Sequence, residues 1–214
     1  IRACCASATE WSGGVTCTNG AGSSRSGPYA KLSDAQMAAL RREEQRGAAT
    51  AGRYTAMVQL DYPSAVVKSP PDARLQDDLR NILMATAPKA VYTHNLADKH
   101  DTHVAVALRV IAAIRSLPPD QHPQTVHGCE VWRDLDWMLD AEKVVHDVGG
   151  RQALAAELGG HFASQIPGGK RYDLAVIGRP RADAPFSESP GAARRAAVPF
   201  SRDLAPPDRD GTVD

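Results

Sequence analysis

Apolar residues recur along this chain with two periods, and the two alternate. Val15, Thr16, Cys17 and Thr18, closed by Asn19 and Gly20, form a β-branched run that predicts a buried strand from Gly14 ending in a turn. Met37 and Leu40 follow the S-x-x-Q capping pattern of Ser33 and Gln36 and sit beside a charged face of Arg41, Arg42, Glu43 and Glu44. They predict a helix from about Asp34 to Ala49. A second strand is expected at about Thr55 to Leu60. Beyond the break at Pro70 and Pro71, Leu75, Leu79, Ile82 and Leu83 recur at helical spacing until Pro88 closes the helix. Ala90 to Thr93 reads as a third strand. Val104, Leu108, Ile111 and Ala112 then recur at three and four, an amphipathic helix from Asp101 to Ser116.

After Pro118 and Pro119 the pattern is mixed. Strands are expected at Thr125 to Trp132 and Lys143 to Asp147, and helices at Gln152 to Gln165 and Tyr172 to Gly178. The last thirty or so residues, rich in Pro, Ala, Arg and Asp, read as irregular. Ile1 to Ala8 reads as the tail of a helix whose beginning is missing. Strands alternating with helices imply parallel crossovers. The expected class is therefore α/β, a Rossmann-like, doubly wound, mostly parallel sheet flanked by helices, with ligands gathering at the carboxyl ends of its strands. A length of 214 residues fits a single domain, taken as 1–205 with a tail at 206–214.

Composition removes some functions from consideration. Twenty-five basic residues balance twenty-five acidic ones, which leaves no electrostatic footprint for nucleic acid or an anionic membrane. No apolar run approaches the roughly 20 residues that cross a bilayer. Cys4, Cys5, Cys17 and Cys129 have no C-x-x-C spacing and no disulfide framework, so free thiols in a reducing cytoplasm are expected.

The chemistry concentrates in the run HNLADKHDTH, where His94, Asp98, His100, Asp101 and His103 fall within ten residues. Imidazole and carboxylate at short spacing, where a strand hands over to a helix, suit a zinc-type hydrolytic site. His100 and His103 can share such a site from one helical turn but cannot supply three ligands. Asp101 has a second reading as a helix N-cap, and Asp98 as an ordinary loop aspartate. The segment TNGAGSSRSG at 18–27 fails the dinucleotide fingerprint, because Arg25 occupies the third glycine position; it reads as a substrate-lining loop. Arg41 and Glu44 at i and i+3 read as a solvated ion pair. Trp132 and Trp137 read as packing anchors, and His122, His127, His146 and His161 have no partner at useful spacing.

The segments VTCTNGAGSSRSGPYA, LRREEQRGAA, VYTHNLADKHDTHVAV, CEVWRDLDW and SQIPGGKRYDLAVIGR together resemble the LmbE-like, or PIG-L, deacetylases from about Val15 to about Arg181. The resemblance implies removal of N-acetyl groups from a glucosamine-type small conjugate by means of a divalent metal, usually zinc. It makes His103 similar to the family's metal-ligand histidine and His100 to the histidine that supports the tetrahedral intermediate, with Asp101 beside it as a second catalytic candidate. Arg41 resembles the substrate-contacting arginine, with Glu44 as companion, and Asn19 and His94 join the substrate-binding set. Asn19 stands where an aspartate is common, and Thr102 where many members carry Asp. Glu188, Ser189 and Pro190 fall where relatives often carry a histidine. The family's His-x-Asp-Asp motif has no counterpart in the 214 residues and is expected shortly before Ile1. Feeble turnover of the chain as it stands is the expectation. A hydrolase of another amide or ester and an inactive carbohydrate-binding module of the same fold are the alternatives, and homo-oligomer formation is left open.

Overall fold

The computed structural model describes residues 11–130, 132–166, 171–183 and 199–204. They fall into two compact units, Ile1–Ser64 with Asp147–Pro199 and Ala65–His146 with Phe200–Asp214. The first is built on the parallel pair β1 (Gly13–Thr18) and β2 (Ala56–Tyr62), joined through α1 (Asp34–Ala51). Helix α1 starts where the capping pattern places it. Ser33 accepts the Gln36 N–H, and the Gln36 side chain returns to the Ser33 N–H at 2.9 Å. Loss of this reciprocal cap in Ser33→Ala is expected to cost about 1 kcal/mol, read as a lower urea midpoint with an unchanged slope. At the far end of α1 the ring of Tyr54 fills the space where a Cβ on Gly14 would sit, 2.9 Å away, so strand and helix end close around one aromatic.

Ahead of the strands of the second unit, α2 (Ser64–Val67) leads to α3 (Arg74–Thr86), which buries Leu75, Leu79 and Leu83 as the leucine spacing predicts. Strand β3 (Ala90–His94) runs through α4 (Asp101–Arg115) to β4 (Thr125–Cys129), and the pair is parallel in unbroken register from Ala90–Thr125 to His94–Cys129. The short β5 (Val144–Val145) and the late β6 (Phe200–Asp203) complete a sheet of order β3-β4-β6-β5, with β6 antiparallel to both neighbours. Helices α5 (Gln152–Gly160) and α6 (Tyr172–Asp183) belong to the first unit. The class is α/β with helices on parallel ladders, and the described strands divide between two sheets where one was expected.

Several expectations are corrected. The strand expected to reach Trp132 stops at Cys129, because the Glu130 carboxylate accepts the Trp132 and Arg133 N–H groups, each at 2.7 Å, and folds the chain into a turn with positive φ at Asp134 and Leu135. Lys143 to Asp147 shortens to two strand residues. The helix expected to reach Gln165 ends at Gly160, followed by a separate 3-10 turn at Ala163–Gln165, and that expected to end at Gly178 runs to Asp183. Within the irregular last thirty residues, Phe200–Asp203 is a strand, since Phe200 and Ser201 are both buried. Helix α4 packs with Ala107, Val110, Ala113 and Ile114, while Leu108 is 54% exposed. Small alanines give a face the close approach to α3 that larger apolar residues on the neighbouring stripe would obstruct. The segments Ile1–Ala8 and 206–214 lie outside the described residues.

Candidate functional site

The His94 carbonyl end of β3 is continued by Asn95, which is buried and donates its N–H to Cys129 O. Its side-chain oxygen accepts the Ala97 N–H at 2.9 Å, and Asp98 N–H returns to Asn95 O. This Asx turn reverses the chain. It brings the Asp98 carboxylate to the first turn of α4, where Oδ1 accepts the His100 N–H at 2.8 Å and Oδ2 meets His103 Nδ1 at 2.9 Å. His103 stacks between two other imidazoles: His94 at 4.0 Å and 3°, His100 at 4.6 Å and 21° between ring centroids and planes.

Burial pushes the Asp98 carboxyl up, but the His103 ring and the His100 N–H more than offset it and hold the group below the usual carboxylate range. An ionised Asp98 requires His103 Nδ1 to carry a proton, which leaves the Nε2 lone pair free to bind a cation. Burial, then the neighbouring His103, lowers His94 from 6.5 to about 4, so this imidazole is neutral near pH 7, as a metal ligand must be. One ligand atom from each of His94, Asp98 and His103 lies within 4.8 Å of the others. Two imidazoles and a carboxylate are the ligand types that a divalent ion of the zinc class takes, so the residues present fit such an ion. His100 is the N-cap of α4, the position considered for Asp101; its Nδ1 accepts the Thr102 N–H at 3.3 Å, which places the proton of the neutral ring on Nε2. Asp101 is the first residue of the helix, 69% exposed, bonded to Lys68 at 2.9 Å and 3.6 Å from His100 Nδ1. The Lys68 bond holds its carboxyl low.

His94 predicts a pH dependence of stability. Between pH 6.5 and 4 the unfolded chain takes up a proton that the folded chain refuses. Stability therefore falls as pH drops through that window, by about 2–3 kcal/mol, and does not depend on this group above it. Urea midpoints of metal-free protein from pH 7 to 4 check this. His94→Gln is expected to flatten the curve, and an equally steep curve in that variant contradicts the assignment.

The other expected residues occupy the first unit. Asn19 follows β1 and accepts the Ala21 N–H at 3.1 Å, shaping a turn in which Gly20 has φ +75° and lies against the Arg41 side chain. Arg41 and Glu44 pair as expected from their i, i+3 spacing, but the pair is not solvated: Glu44 is buried and also accepts two hydrogen bonds from Ser164. Sequence reasoning underrated Asp98 and missed Ser164. Asp98 carried a signal in its place before the histidines of a turn; Ser164, 120 residues from Glu44, carried none that spacing could reveal. Of the histidines without partner spacing, His146 bonds Ser201 Oγ at 2.7 Å and stands 5.4 Å from His127, an anchor for β6. Glu188, Ser189 and Pro190 lie outside the described residues.

Comparison with known proteins supports the fold and identifies the family. Among solved structures the chain is similar to the N,N'-diacetylchitobiose deacetylase from Pyrococcus horikoshii, with a TM-score of 0.66 at 16% identity over 92% of this chain and 76% of that one. It is similar also to the pseudoaglycone deacetylase Dbv21, at TM-score 0.63 and 13% identity over 91% and 85%. A third, GalB, the 4-carboxy-2-hydroxymuconate hydratase from Pseudomonas putida, gives TM-score 0.69 and 14% identity over 91% and 84%. At these identities the likeness establishes the fold, and the hydratase shows that the fold alone does not choose the reaction. Among curated proteins, sequence comparison finds no significant match. The sequence profile of GlcNAc-PI de-N-acetylase, PIG-L, matches residues 6–114, just over half of the chain and the stretch that carries both the Arg41 helix and the histidine run. The chain belongs to the PIG-L family.

Proposed function

We propose that this protein is a divalent-metal-dependent, zinc-type N-deacetylase that hydrolyses the acetamide of a small amino-sugar conjugate. The observation that carries the reading is the gathering of His94, Asp98 and His103 in a chain of the PIG-L family. His103 and His94 would hold the cation, with the contact between His103 Nδ1 and Asp98 fixing the ring and leaving Nε2 available to it. When bound, such a cation polarises a carbonyl and lowers the pKa of its water to about 7.

His100 presents its Nε2–H to the oxyanion that develops on the acetamide, a contribution of about 3 kcal/mol in comparable sites. Asp101, 3.6 Å from His100 Nδ1, is the second catalytic candidate beside it. Arg41 and Asn19 are the substrate contacts, with Glu44 setting Arg41. A carboxylate base is the remaining requirement. Asp98 is already committed to two donors, and no His-x-Asp-Asp occurs in residues 1–214, so turnover by these residues alone is expected to be low. The thiol of Cys17 is free and buried, which supports a reducing cytoplasm as the setting. Among the described residues no helix is long and apolar enough to cross a membrane.

The test is acetate release from an N-acetylglucosamine glycoside, with added Zn2+ and with chelator. Slow release that requires the metal supports the proposal. Metal uptake with no release under any condition points to the sugar-binding module, and release that survives chelation removes the metal from the reading.

A further inference from the structure

Arg41 is confined on three sides by its own unit. Gly20 presses on the stem, where an added Cβ would come within 2.9 Å of Arg41 Cβ and Cγ. The ring of Phe162 lies under the guanidinium, 5.0 Å from carbon to ring centroid. Glu44 Oε2 takes one edge through Arg41 Nη1 at 2.5 Å. Glu44 is itself fixed from the opposite side: the Ser164 N–H donates to Oε1 at 2.6 Å and the Ser164 hydroxyl to Oε2 at 2.8 Å. Gln165 Nε2 in turn donates to Ser164 Oγ at 3.0 Å, which holds the hydroxyl's orientation. Ser164 is 1% exposed, so neither of its bonds to the carboxylate has water as a ready substitute. The Arg41 side chain keeps 23% of its surface exposed. A guanidinium has five N–H donors in a rigid plane, and Glu44 engages only one of its nitrogens.

Resting on the reading of Arg41 as a substrate contact, we infer that Ser164 and Phe162 are positioning residues. They fix the plane of Arg41, so that its free N–H groups meet oxygen acceptors of the bound amino-sugar conjugate without first losing rotational freedom. The Ser164 bonds act through Glu44, and the Phe162 ring acts on the guanidinium face directly.

Nitrogen-15 spectra of the arginine guanidinium groups in the full chain read the brace without reference to catalysis. Wild-type Arg41 is expected to show resolved Nη signals of a hindered rotor. Ser164→Ala is expected to average them, and Ser164→Thr, which keeps both donors, to restore them. In parallel, KM for an N-acetylglucosamine glycoside is expected to rise about tenfold in Ser164→Ala, the worth of one weakened charge-assisted contact, with kcat within about twofold. Phe162→Leu leaves the Glu44 bonds in place and is expected to raise KM in the same direction, which guards against a folding defect in the serine variant. Wild-type Arg41 signals and KM in both Ser164→Ala and Phe162→Leu overturn the inference. A wild-type protein that neither binds nor hydrolyses the glycoside defeats the deacetylase reading instead, and averaging in Ser164→Ala alone then still upholds the brace.

Discussion

His103→Ala is expected to remove metal-dependent deacetylation and to weaken Zn2+ binding by well over a hundredfold. The ring sits at the centre of the imidazole stack, with Nδ1 bonded to Asp98 and Nε2 left for the cation. Removing a group that only orients a ligand typically costs 10–100-fold in metal affinity, so loss of the ligand itself must exceed that range. Asp98→Asn separates two roles for the carboxylate. If Asp98 chiefly orients His103, the amide, which can no longer favour an Nδ1–H donor, costs about 10–100-fold. If it binds the ion directly, the loss approaches that of His103→Ala. Metal titration of both variants, beside acetate release, decides between them, and unchanged affinity in His103→Ala contradicts the site.

Glu44→Ala is expected to destabilise the fold by about 3 kcal/mol, a large effect for a charged residue on a helix face. An exposed ion pair on such a face is worth about 0–1 kcal/mol. Here the carboxylate is buried and joins two segments 120 residues apart, so its loss strands the Ser164 N–H and hydroxyl as well as one edge of Arg41. Stranded buried donors each cost about 1–3 kcal/mol, partly recovered because Arg41 reaches solvent. Urea unfolding of the variant checks the magnitude, and a change below about 0.5 kcal/mol would mean that the pair behaves as a surface contact.

What the sequence made legible follows the range of each interaction. The Ser33–Gln36 cap, the leucine face of α3 and the parallel β3-α4-β4 crossover all depend on residues close in the chain, and each was readable from spacing. The histidine run was readable as chemistry but not as geometry. His94 reaches His103 only because Asn95 closes a turn, and no periodic template contains that turn. In α4 the spacing pointed to the neighbouring stripe: Val104, Leu108, Ile111 and Ala112 recur at three and four, but the packing face is carried by Ala107, Val110, Ala113 and Ile114, which recur equally well. Contacts of long range left no local trace. Neither Ser164 under Glu44 nor Ser201 between His146 and His127 belongs to a pattern, and the β6 strand that Ser201 anchors falls in a stretch whose composition reads as irregular.

Metal content per chain measures most directly whether His94, Asp98 and His103 form one cation site. Protein dialysed against Zn2+ at pH 7 is expected to retain one ion per chain. His94→Ala and His103→Ala should each lose it, while His146→Ala, which alters a histidine of the β6 anchor, should retain it. Zinc retained undiminished in both His94→Ala and His103→Ala, or no zinc retained by the wild-type chain, would contradict the account.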